Sequence, residues 1–535
     1  MCFDSLPTEI LFLIGSQLQT INDLFNLSRA NRMLFNLFVN ELYKANVRCD
    51  GGSALVWYSS QGNEPCVKRM LAAGADVNVR SPRQHQSTAL LEAVSRNHKT
   101  LVQILLEKGA APDASDIRSR RPLTVAVGGR SDLAITQLLL DHGAKADVAS
   151  EKRPPLLEAV RGNQALKATL LLKCGADPRI SENSQGMSLL HVAAVKNASP
   201  VIIATLIRSG LSINSIDEYG RTPLQLAVEY SSARAVQVLL SHGANPNAKG
   251  GRGAIQGKSA LFRAVCPRKA HSQNMKILRA LLTHGVEVDS KGLYNQTALL
   301  YAVSKGALKK AQALLEVGAS IKARGIYGMT VLHTAVASLD SSPGMIAWLV
   351  ENGADVNWVD DRKHETPLFH AIERSQLHPG SERTEIVERL LSLGANVHSQ
   401  NVKGMVPLSL ASKMGSIILS KLLIQHGAFI NSRDIRMKSP LHHLFDTKYG
   451  NISKKREIAR FLIQNGADVN SQDCDGHTPL HIAVATEWTW EIVGELLEAG
   501  ADRCAMSKDG KFPYDKIPDG PFAETQRLIL RHYPV

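Results

Sequence analysis

The sequence contains no uninterrupted run of the roughly eighteen apolar residues that a membrane-spanning helix requires, so we expect no transmembrane segment. The first residues also lack the basic and then apolar stretch of a secretory signal, because Asp4 and Glu9 stand among them. The seven cysteines are scattered, and none belongs to a Cys-x-x-Cys pair. This pattern favours reduced thiols over a disulfide framework, and we expect an intracellular protein of the cytoplasm, the nucleus or both.

Motifs for catalysis and for metal or cofactor binding are scarce as well. The glycine-rich stretch at residues 250–258 matches neither of the two phosphate-binding loop patterns. Histidines such as His191, His333 and His481 recur at one position of a repeated unit, which indicates a structural role. No nucleophile and base, and no cysteines and histidines with metal-ligand spacing, stand out elsewhere. We therefore expect no catalytic residue, no metal ligand, no cofactor and no enzymatic activity.

A glycine followed by alanine, or in two copies by leucine or valine, recurs every 32 to 42 residues. The thirteen copies are Gly74, Gly109, Gly143, Gly175, Gly210, Gly243, Gly285, Gly318, Gly353, Gly394, Gly427, Gly466 and Gly500. Upstream of them lies a second motif, as in Thr366-Pro367-Leu368 and Ser439-Pro440-Leu441. A period in this range is typical of stacked structural units that present a long binding surface.

The unit at residues 476–502 shows what each copy encodes. Thr478 is a suitable N-cap, and Pro479 suits the first helical turn because its missing N–H group has no partner there anyway. A short apolar helix follows, and a second helix carries the apolar residues Ile492, Val493, Leu496 and Leu497 on one face. Gly500 ends this helix. The polar segment between one helix pair and the next, here called a finger, is predicted to be extended.

With Thr-Pro-Leu-His, Leu-Leu-x-x-Gly-Ala-Asp-Val-Asn and Asp-x-x-Gly in register, the chain resembles the ankyrin repeat family. The resemblance implies an all-α solenoid of helix-turn-helix units with extended fingers. We predict an array of about thirteen repeats over residues 53–510 and a degenerate capping repeat over residues 511–535. Because the units of such arrays bind other proteins, the resemblance also implies a non-enzymatic protein-binding function.

Residues 1–50 lack the repeat motifs and predict three short helices, which begin near Pro7, near Asn22 and at Asn31. Leu-Pro-x-Glu-Ile-Leu-x-x-Ile, followed by Leu-x-x-Leu-Ser-x-x-Asn-Arg, resembles an F-box. The resemblance implies a small domain that docks a Skp1-type linker of a cullin-RING ubiquitin ligase. Its linker-binding residues would be Leu6, Pro7, Ile10, Leu11, Ile14, Leu18, Leu24 and Leu27.

Two functions remain open at this point. In the first, the chain is a substrate receptor of an SCF-type ligase, with the N-terminal segment on the linker and the array on the target. In the second, the chain is an ankyrin scaffold or inhibitor without a ligase role, and the N-terminal helices only cap the array.

The fingers between residues 78 and 438 contain more lysine and arginine than aspartate and glutamate, and they account for most of the net charge of +13. We expect this excess to attract an acidic protein target. Exposed arginine and aromatic residues are frequent hot spots, which gives these candidate target-binding residues: Arg120, Arg121, Tyr219, Arg252, Tyr294, Arg324, Tyr327, Trp358, Arg362 and Arg436. Aromatic residues make up only 5% of the chain and no recognition motif is present, so nucleic acid is disfavoured as the partner.

Three repeats are longer than the others between their two motifs, and their extra residues are predicted to form loops between the two helices. The extra residues lie at 266–271, 375–381 and 446–453.

Overall fold

The computed structural model describes residues 32–82, 85–129, 131–147, 154–182, 185–250, 259–265, 274–292, 295–340, 342–377, 381–446, 452–485, 490–520 and 523–532. The predicted F-box-like residues Leu6 to Leu27 therefore lie outside the described part of the chain, as do the candidate residues Arg252 and Tyr294. The described residues divide into two compact units: residues 1–255 with 267–280, and residues 256–266 with 281–535.

The first unit contains one long helix followed by helix pairs. Its helices are α1 (Arg32–Asp50), α2 (Ala54–Gln61), α3 (Glu64–Ala72), α4 (Ala89–Ser95), α5 (Lys99–Glu107), α6 (Pro122–Gly128), α7 (Leu133–Asp141), α8 (Pro155–Arg161), α9 (Ala165–Lys173), α10 (Leu189–Val195), α11 (Pro200–Arg208), α12 (Pro223–Glu229) and α13 (Ala233–Ser241). Strands β1 (Ser181–Glu182) and β2 (Met187–Ser188) form an antiparallel hairpin. The first helices of consecutive pairs, such as α4 and α6, pack on each other, and so do the second helices, such as α5 and α7.

The second unit repeats this arrangement. Its helices are α14 (Ala260–Val265), the end of α15 (Asn274–Leu282), α16 (Ala298–Ser304), α17 (Leu308–Glu316), α18 (Val331–Ala337), α19 (Pro343–Glu351), α20 (Pro367–Leu377), α21 (Ser381–Ser392), α22 (Pro407–Lys413), α23 (Ile417–Gln425), α24 (Pro440–Phe445), α25 (Ile452–Gln464), α26 (Pro479–Ala485), α27 (Trp490–Glu498) and α28 (Ala523–His532). Short 3₁₀ turns lie at Ile326–Gly328 and Pro513–Lys516. Apart from the β1–β2 hairpin, the described secondary structure is helical, which confirms the predicted all-α repeat fold.

The sequence determines the ends of these helices locally. Thr222 caps α12, because its Oγ1 accepts a hydrogen bond from the N–H group of Gln225 at 3.3 Å while the Gln225 side chain accepts one from the N–H group of Thr222 at 3.1 Å. Pro223 occupies the first helical position. At the other end of a pair, Gly353 follows α19 with a φ of 94°, a left-handed conformation that favours glycine.

The core lies between the helices of neighbouring repeats. Leu224, Leu226 and Ala227 of α12 are almost completely buried, because α12 packs against both α10 and α13. Burial of a leucine side chain stabilises a fold by about 2 kcal/mol. A single pair has too little apolar surface to fold alone, so each repeat depends on its neighbours for its core.

Helix α1 is the described part of the segment that was predicted to form a separate N-terminal domain. It packs against α3, and its residues Phe38, Val39 and Tyr43 are buried. The Tyr43 ring meets the Tyr58 ring edge to face, with 6.1 Å between centroids. The predicted third helix of that segment is therefore part of the first unit's packed core.

The loop prediction for the enlarged repeats is partly wrong. Ser375, Gln376 and Leu377 continue α20, and Ser381 begins α21. Ile452 and Ser453 likewise belong to α25. Extra residues without proline or glycine extend an existing helix readily, because each added turn forms further backbone hydrogen bonds.

No helix among the described residues combines the length and the apolar character that crossing a bilayer requires.

Candidate protein-binding surface

Several of the described fingers are each built around one anchoring side chain. In the finger that contains Asp434, Oδ1 of this residue accepts hydrogen bonds from the backbone N–H groups of Arg436 and Lys438, both at 2.8 Å. Its Oδ2 lies 3.0 Å from Nε2 of His443. The residues at the same position in other fingers are Asp116, Asp217, Asp360, Asn401 and Asp473. These bonds hold each finger tip in one conformation before any partner arrives.

Asp360 shows how a buried charge is stabilised at the anchoring position. Its Oδ1 accepts a hydrogen bond from the N–H group of Lys363 at 2.8 Å, and its Oδ2 lies 2.9 Å from Nε2 of His370. Burial raises the pKa of Asp360, but the hydrogen bonds to Lys363 and His370 outweigh burial, and the pKa lies below its ordinary value. The carboxylate therefore stays ionised at neutral pH, and the finger stays anchored.

Backbone hydrogen bonds join consecutive finger tips in the second unit. Each runs from an N–H group at one tip to a carbonyl oxygen at the tip before it: Asp361 to Tyr327 at 2.7 Å, Val402 to Lys363 at 2.9 Å, Ile435 to Lys403 at 3.1 Å, Cys474 to Arg436 at 2.8 Å, and Lys508 to Asp475 at 3.0 Å. The tips are thus held in register with each other, and their exposed side chains form one continuous surface.

Four of the predicted target-binding residues meet on two neighbouring fingers of the second unit. The guanidinium of Arg324 lies 5.3 Å from the ring centroid of Trp358, and that of Arg362 lies 5.2 Å from the ring centroid of Tyr327. Both distances are within the range of cation–π attraction. Tyr327 is 58% exposed and Trp358 is 37% exposed. We call these four residues the arginine–aromatic cluster.

Arg324 fixes the geometry of the cluster. Its Nε donates a hydrogen bond to the carbonyl oxygen of Gly328 at 3.1 Å, and its Nη2 donates to the carbonyl oxygen of Val359 at 3.1 Å. Nη2 also lies 2.8 Å from Oδ1 of Asp361. The finger of Arg324 has Gly325 where other fingers have the anchoring Asp, so Arg324 provides from its own side chain the support that the carboxylate gives elsewhere.

Four other predicted residues are described by the structure, and each belongs to a finger other than the two of the cluster. Arg120 pairs with Asp116 at 2.7 Å, and Arg436 pairs with Asp475 at 2.8 Å. Tyr219 lies beneath the guanidinium of Arg221, with 4.8 Å between that group and the ring centroid. Arg121 precedes α6 at the N-cap position.

Four basic residues of the fingers are paired with carboxylates. Arg120, Arg324 and Arg436 each have a carboxylate within 2.8 Å, and Nζ of Lys363 lies 3.5 Å from Glu365. Composition counts both partners of such a pair but does not show that they touch. These pairs orient individual basic side chains, and they leave the net excess of positive charge on the fingers unchanged.

Three exposed apolar residues on the next fingers were not predicted from the sequence. Val402 is 58% exposed, Ile435 is 71% exposed and Met437 is 45% exposed. Val402 and Ile435 directly follow the anchoring residues Asn401 and Asp434. Aligning the fingers on their anchoring residue would have placed both side chains at a tip.

The recurring histidines have the structural role that their position predicts. Nδ1 of His333 accepts a hydrogen bond from the N–H group of Thr330 at 3.2 Å, and its Nε2 lies 2.9 Å from the carbonyl oxygen of Glu365 in the next finger. His442 makes the same contacts with Ser439 and His477. Burial lowers the pKa of His333 and of His442 to about 4. Both rings are therefore neutral at pH 7 and link one repeat to the next.

Two groups of side chains have the composition of a metal site: Asp360 with Glu365 and His370, and Asp473 with Asp475 and His477. Within each group the candidate ligand atoms lie within 4.8 Å of one another. Asp360 and Asp473, however, already use their carboxylates to anchor a finger. We therefore regard both groups as hydrogen-bond networks that shape the fingers.

Comparison with known families finds ankyrin repeats along much of the chain. A family model described as ankyrin repeats in three copies matches residues 27–116, 156–250 and 448–514, and a model of the single ankyrin repeat matches residues 327–361. Together these segments cover a little over half of the chain. The first segment begins at residue 27, within the region that the sequence assigns to an N-terminal domain.

Individual relatives resemble only part of the chain. The B-cell lymphoma 3 protein homolog of Mus musculus is 29% identical over 266 residues, which is 49% of this chain and 48% of that protein. Rabankyrin-5 of Homo sapiens is 32% identical over 208 residues, which is 35% of this chain and 17% of that protein. The crystal structure of the human ASB11 ankyrin repeat domain has a TM-score of 0.36 and 26% identity, and the match covers 43% of this chain and 97% of that one. The matched region thus spans less than half the length of the two curated relatives.

Proposed function

The chain belongs to the ankyrin repeat family, and from this premise we propose that its second unit binds a partner protein through the arginine–aromatic cluster. The observation that supports the proposal is the pairing of two arginines with two exposed aromatic rings on adjacent fingers. Arginine, tyrosine and tryptophan are the residue types that contribute most to binding at protein interfaces. Neither Tyr327 nor Trp358 is buried in the repeat core.

The cluster is also ordered before binding. Arg324 is held by hydrogen bonds to Gly328 and Val359, and the two fingers are joined by the bond from Asp361 to Tyr327. The side chains of the cluster therefore lose less entropy on binding than those of a flexible surface would, which increases the affinity for a partner.

A photo-crosslinking amino acid at position 327 tests this function. We expect irradiation in a lysate of the producing cells to give one dominant adduct, and we expect Arg362→Ala to reduce its yield. Tyr230, which is 50% exposed at the end of α12 in the first unit, provides the matched control position. Equal adducts from positions 230 and 327, or no adduct from 327, would contradict the proposal.

We further propose that the chain is a substrate receptor of an SCF-type ubiquitin ligase. The support for this role is the F-box-like sequence of residues 6–32, whose apolar positions match the linker-binding positions of that family. Simultaneous binding of a Skp1-type linker by this segment and of a target by the array would raise the target's concentration at the ligase. The role requires a location in the cytoplasm or the nucleus.

Co-purification with a Skp1-type linker tests the receptor role. We expect the full chain to retain the linker, and the double variant Leu6→Ala with Pro7→Ala to lose it. Ile418→Ala, at an exposed apolar position on α23, is the control and should retain it. Absence of binding, or binding that the double variant leaves unchanged, would refute the receptor role.

The alternative is an ankyrin scaffold or inhibitor whose N-terminal helices only cap the array. The burial of Phe38, Val39 and Tyr43 in the first unit favours it for α1. The two functions differ in the exposure of Ile10, Leu11 and Leu24. If the segment is available to a linker, cysteines substituted at these three positions should react with a maleimide when no linker is bound. If the segment only caps the array, the same cysteines should be protected from the maleimide.

A further inference from the structure

The finger tips next to the arginine–aromatic cluster combine apolar and basic side chains. Val402, Ile435 and Met437 are exposed, and the basic residues Lys403 and Arg436 lie between them in the sequence. We call these five residues the tip strip. All of them belong to the fingers anchored by Asn401 and Asp434.

The tip strip is continuous with the arginine–aromatic cluster. The N–H group of Val402 donates to the carbonyl oxygen of Lys363, next to Arg362, and the N–H group of Ile435 donates to that of Lys403. A Cβ atom at Gly404 would lie 3.0 Å from Cγ2 of Ile435, so the Ile435 side chain lies directly over the preceding finger. A ligand that covers the cluster can therefore extend along the strip.

The fold does not require apolar side chains at these tips. The residues that directly follow the anchoring position in other fingers are Ile117, Glu218, Asp361 and Cys474, and Lys508 has the equivalent position after Ser507. Charged side chains are therefore accepted there as well as the exposed Ile117. All fingers in this set make the same kind of backbone contact to the tip before them, whichever side chain is present. Val402 and Ile435 lose favourable burial by being exposed, and a partner that covers them would remove this apolar surface from water, which favours binding.

The charged residues around the apolar side chains restrict the charge that a partner segment can have. Lys403 and Arg362 are exposed and basic, whereas Arg436 already has a carboxylate partner in Asp475. A partner segment therefore needs acidic groups opposite Arg362 and Lys403, and apolar groups opposite Val402 and Ile435.

We propose that the tip strip, together with the neighbouring Arg362, binds an extended segment of a partner protein that combines acidic residues with bulky apolar residues. This inference rests on the proposed protein-binding function and specifies the chemistry of the partner. An extended segment can follow consecutive finger tips, because backbone hydrogen bonds hold the tips of Lys363, Val402 and Ile435 side by side. Nucleic acid fits the strip less well, because its binding depends mainly on phosphate contacts that Val402 and Ile435 cannot make.

Selection from a phage-displayed library of randomised peptides, with the full chain as bait, tests the proposal. The first variant removes the apolar contacts with Val402→Ser and Ile435→Ser, and its control is Ile418→Ser at an apolar position exposed to a similar extent on α23. The second variant reverses the charge with Arg362→Glu and Lys403→Glu, and its control is Arg389→Glu on the exposed side of α21. Because every substituted side chain is exposed, we expect all variants to fold.

The wild-type chain and both controls should enrich peptides rich in aspartate or glutamate together with leucine, isoleucine or phenylalanine. Each strip variant should bind the enriched peptides at least about tenfold more weakly in fluorescence anisotropy, which corresponds to about 1.4 kcal/mol. Peptides that are acidic but not apolar, peptides that are apolar but not acidic, or no enrichment at all would each overturn the proposal.

A second arm measures binding of a single-stranded RNA oligonucleotide to the same proteins. Three results together would assign the strip to nucleic acid instead. The RNA would bind more tightly than the peptides, its affinity would fall steeply between about 50 and 200 mM salt, and the serine variant would leave its binding unaffected.

The inference and the proposed function fail in different ways. If crosslinking at position 327 depends on Arg362 but no peptide is enriched, the cluster binds a protein and only the proposed segment chemistry is wrong.

Discussion

At the scale of single residues, the histidines of the helix caps connect sequence to stability most directly. His333 lies inside a repeat and links Thr330 to Glu365 of the next finger. Gln225 has the same position in another repeat, where it accepts a hydrogen bond from Thr222 and donates one to Ala248 at 2.7 Å. The side chain at this position therefore needs one acceptor for the N–H group of the helix cap and one donor for a carbonyl oxygen of the next finger. A glutamine provides both as well as an imidazole does.

The buried histidines predict a loss of stability in mild acid. Burial lowers the pKa of His333 to about 4, whereas it is about 6.5 in the unfolded chain, so between these values only the unfolded chain takes up the proton. The contribution of the neutral His333 to the free energy of unfolding is fully present above about pH 6.5 and is lost as the pH falls towards 4. At pH 5 the loss from this residue is about 2 kcal/mol. We expect His333→Gln to keep most of the stability at pH 7.5 and to reduce the loss at pH 5, as measured by urea denaturation midpoints. His426→Gln, at an exposed histidine, should leave the acid-induced loss unchanged, and an equal effect of both substitutions would contradict the prediction.

The two arginines of the cluster should respond differently to substitution. Arg324 makes two hydrogen bonds to backbone carbonyl groups and one ion pair, so Arg324→Ala should destabilise the fold by about 1 to 2 kcal/mol. Arg362 lies over an exposed ring, and Arg362→Ala should change stability by less than about 0.5 kcal/mol. Denaturation midpoints measure both effects. Equal losses of stability would show that Arg362 is as structural as Arg324.

At the scale of the element, the finger is the unit that links fold to function. A side chain at or next to the anchoring position shapes the tip, a backbone hydrogen bond holds the tip against its neighbour, and the side chains that remain exposed form the binding surface. The candidate site therefore depends on backbone geometry at positions that never touch a partner.

Gly328 is such a position. It has a φ of 70°, and a Cβ atom there would overlap the carboxylate of Asp361. Gly318 also has a positive φ, of 90°, but a Cβ atom there meets nothing within 4 Å. Both alanine substitutions should cost about 1 kcal/mol for backbone strain, but only Gly328→Ala should displace the Asp361 carboxylate and so loosen the contact between the two fingers. Hydrogen exchange of the Asp361 amide, which is bonded to Tyr327, should accelerate in Gly328→Ala and stay slow in Gly318→Ala. Equal rates in the two variants would mean that the fingers tolerate the added methyl group.

The fingers also show how far sequence can predict this molecule. The repeat motifs locate the helix starts, because Thr, Pro and Gly at those positions act through local backbone chemistry. They also place Arg324, Tyr327, Trp358 and Arg362 on fingers. The ion pair between Arg324 and Asp361 was not predictable, because it depends on how two fingers 37 residues apart align in space. The continuation of α20 through Leu377 was missed for a different reason, since extra residues between motifs do not reveal whether they form a loop or a helical turn.

At the scale of the whole molecule, each repeat is bonded mainly to the repeats beside it. Asparagine side chains show this outside the core. Asn357 accepts a hydrogen bond from the N–H group of Asn396 at 2.7 Å, and Asn431 accepts one from that of Asp468 at 2.9 Å. Helix α23 likewise packs against α21, α22 and α25. Stability in such an array is close to a sum of local contributions and nearest-neighbour contributions.

This arrangement predicts that damage to the core stays local. Leu423 of α23 is completely buried, and Leu423→Ala should destabilise its repeat by about 2 to 5 kcal/mol through lost contacts and the cavity left behind. Hydrogen exchange followed by mass spectrometry should show faster exchange from α21 to α25 and unchanged exchange in α16 and α17. Ile418→Ala, on the same helix but 60% exposed, should change neither region. Uniform acceleration across the second unit would instead mean that its repeats unfold as one cooperative block. In that case a substitution in any repeat would also weaken the arginine–aromatic cluster, whereas local unfolding leaves the cluster intact when distant repeats are damaged.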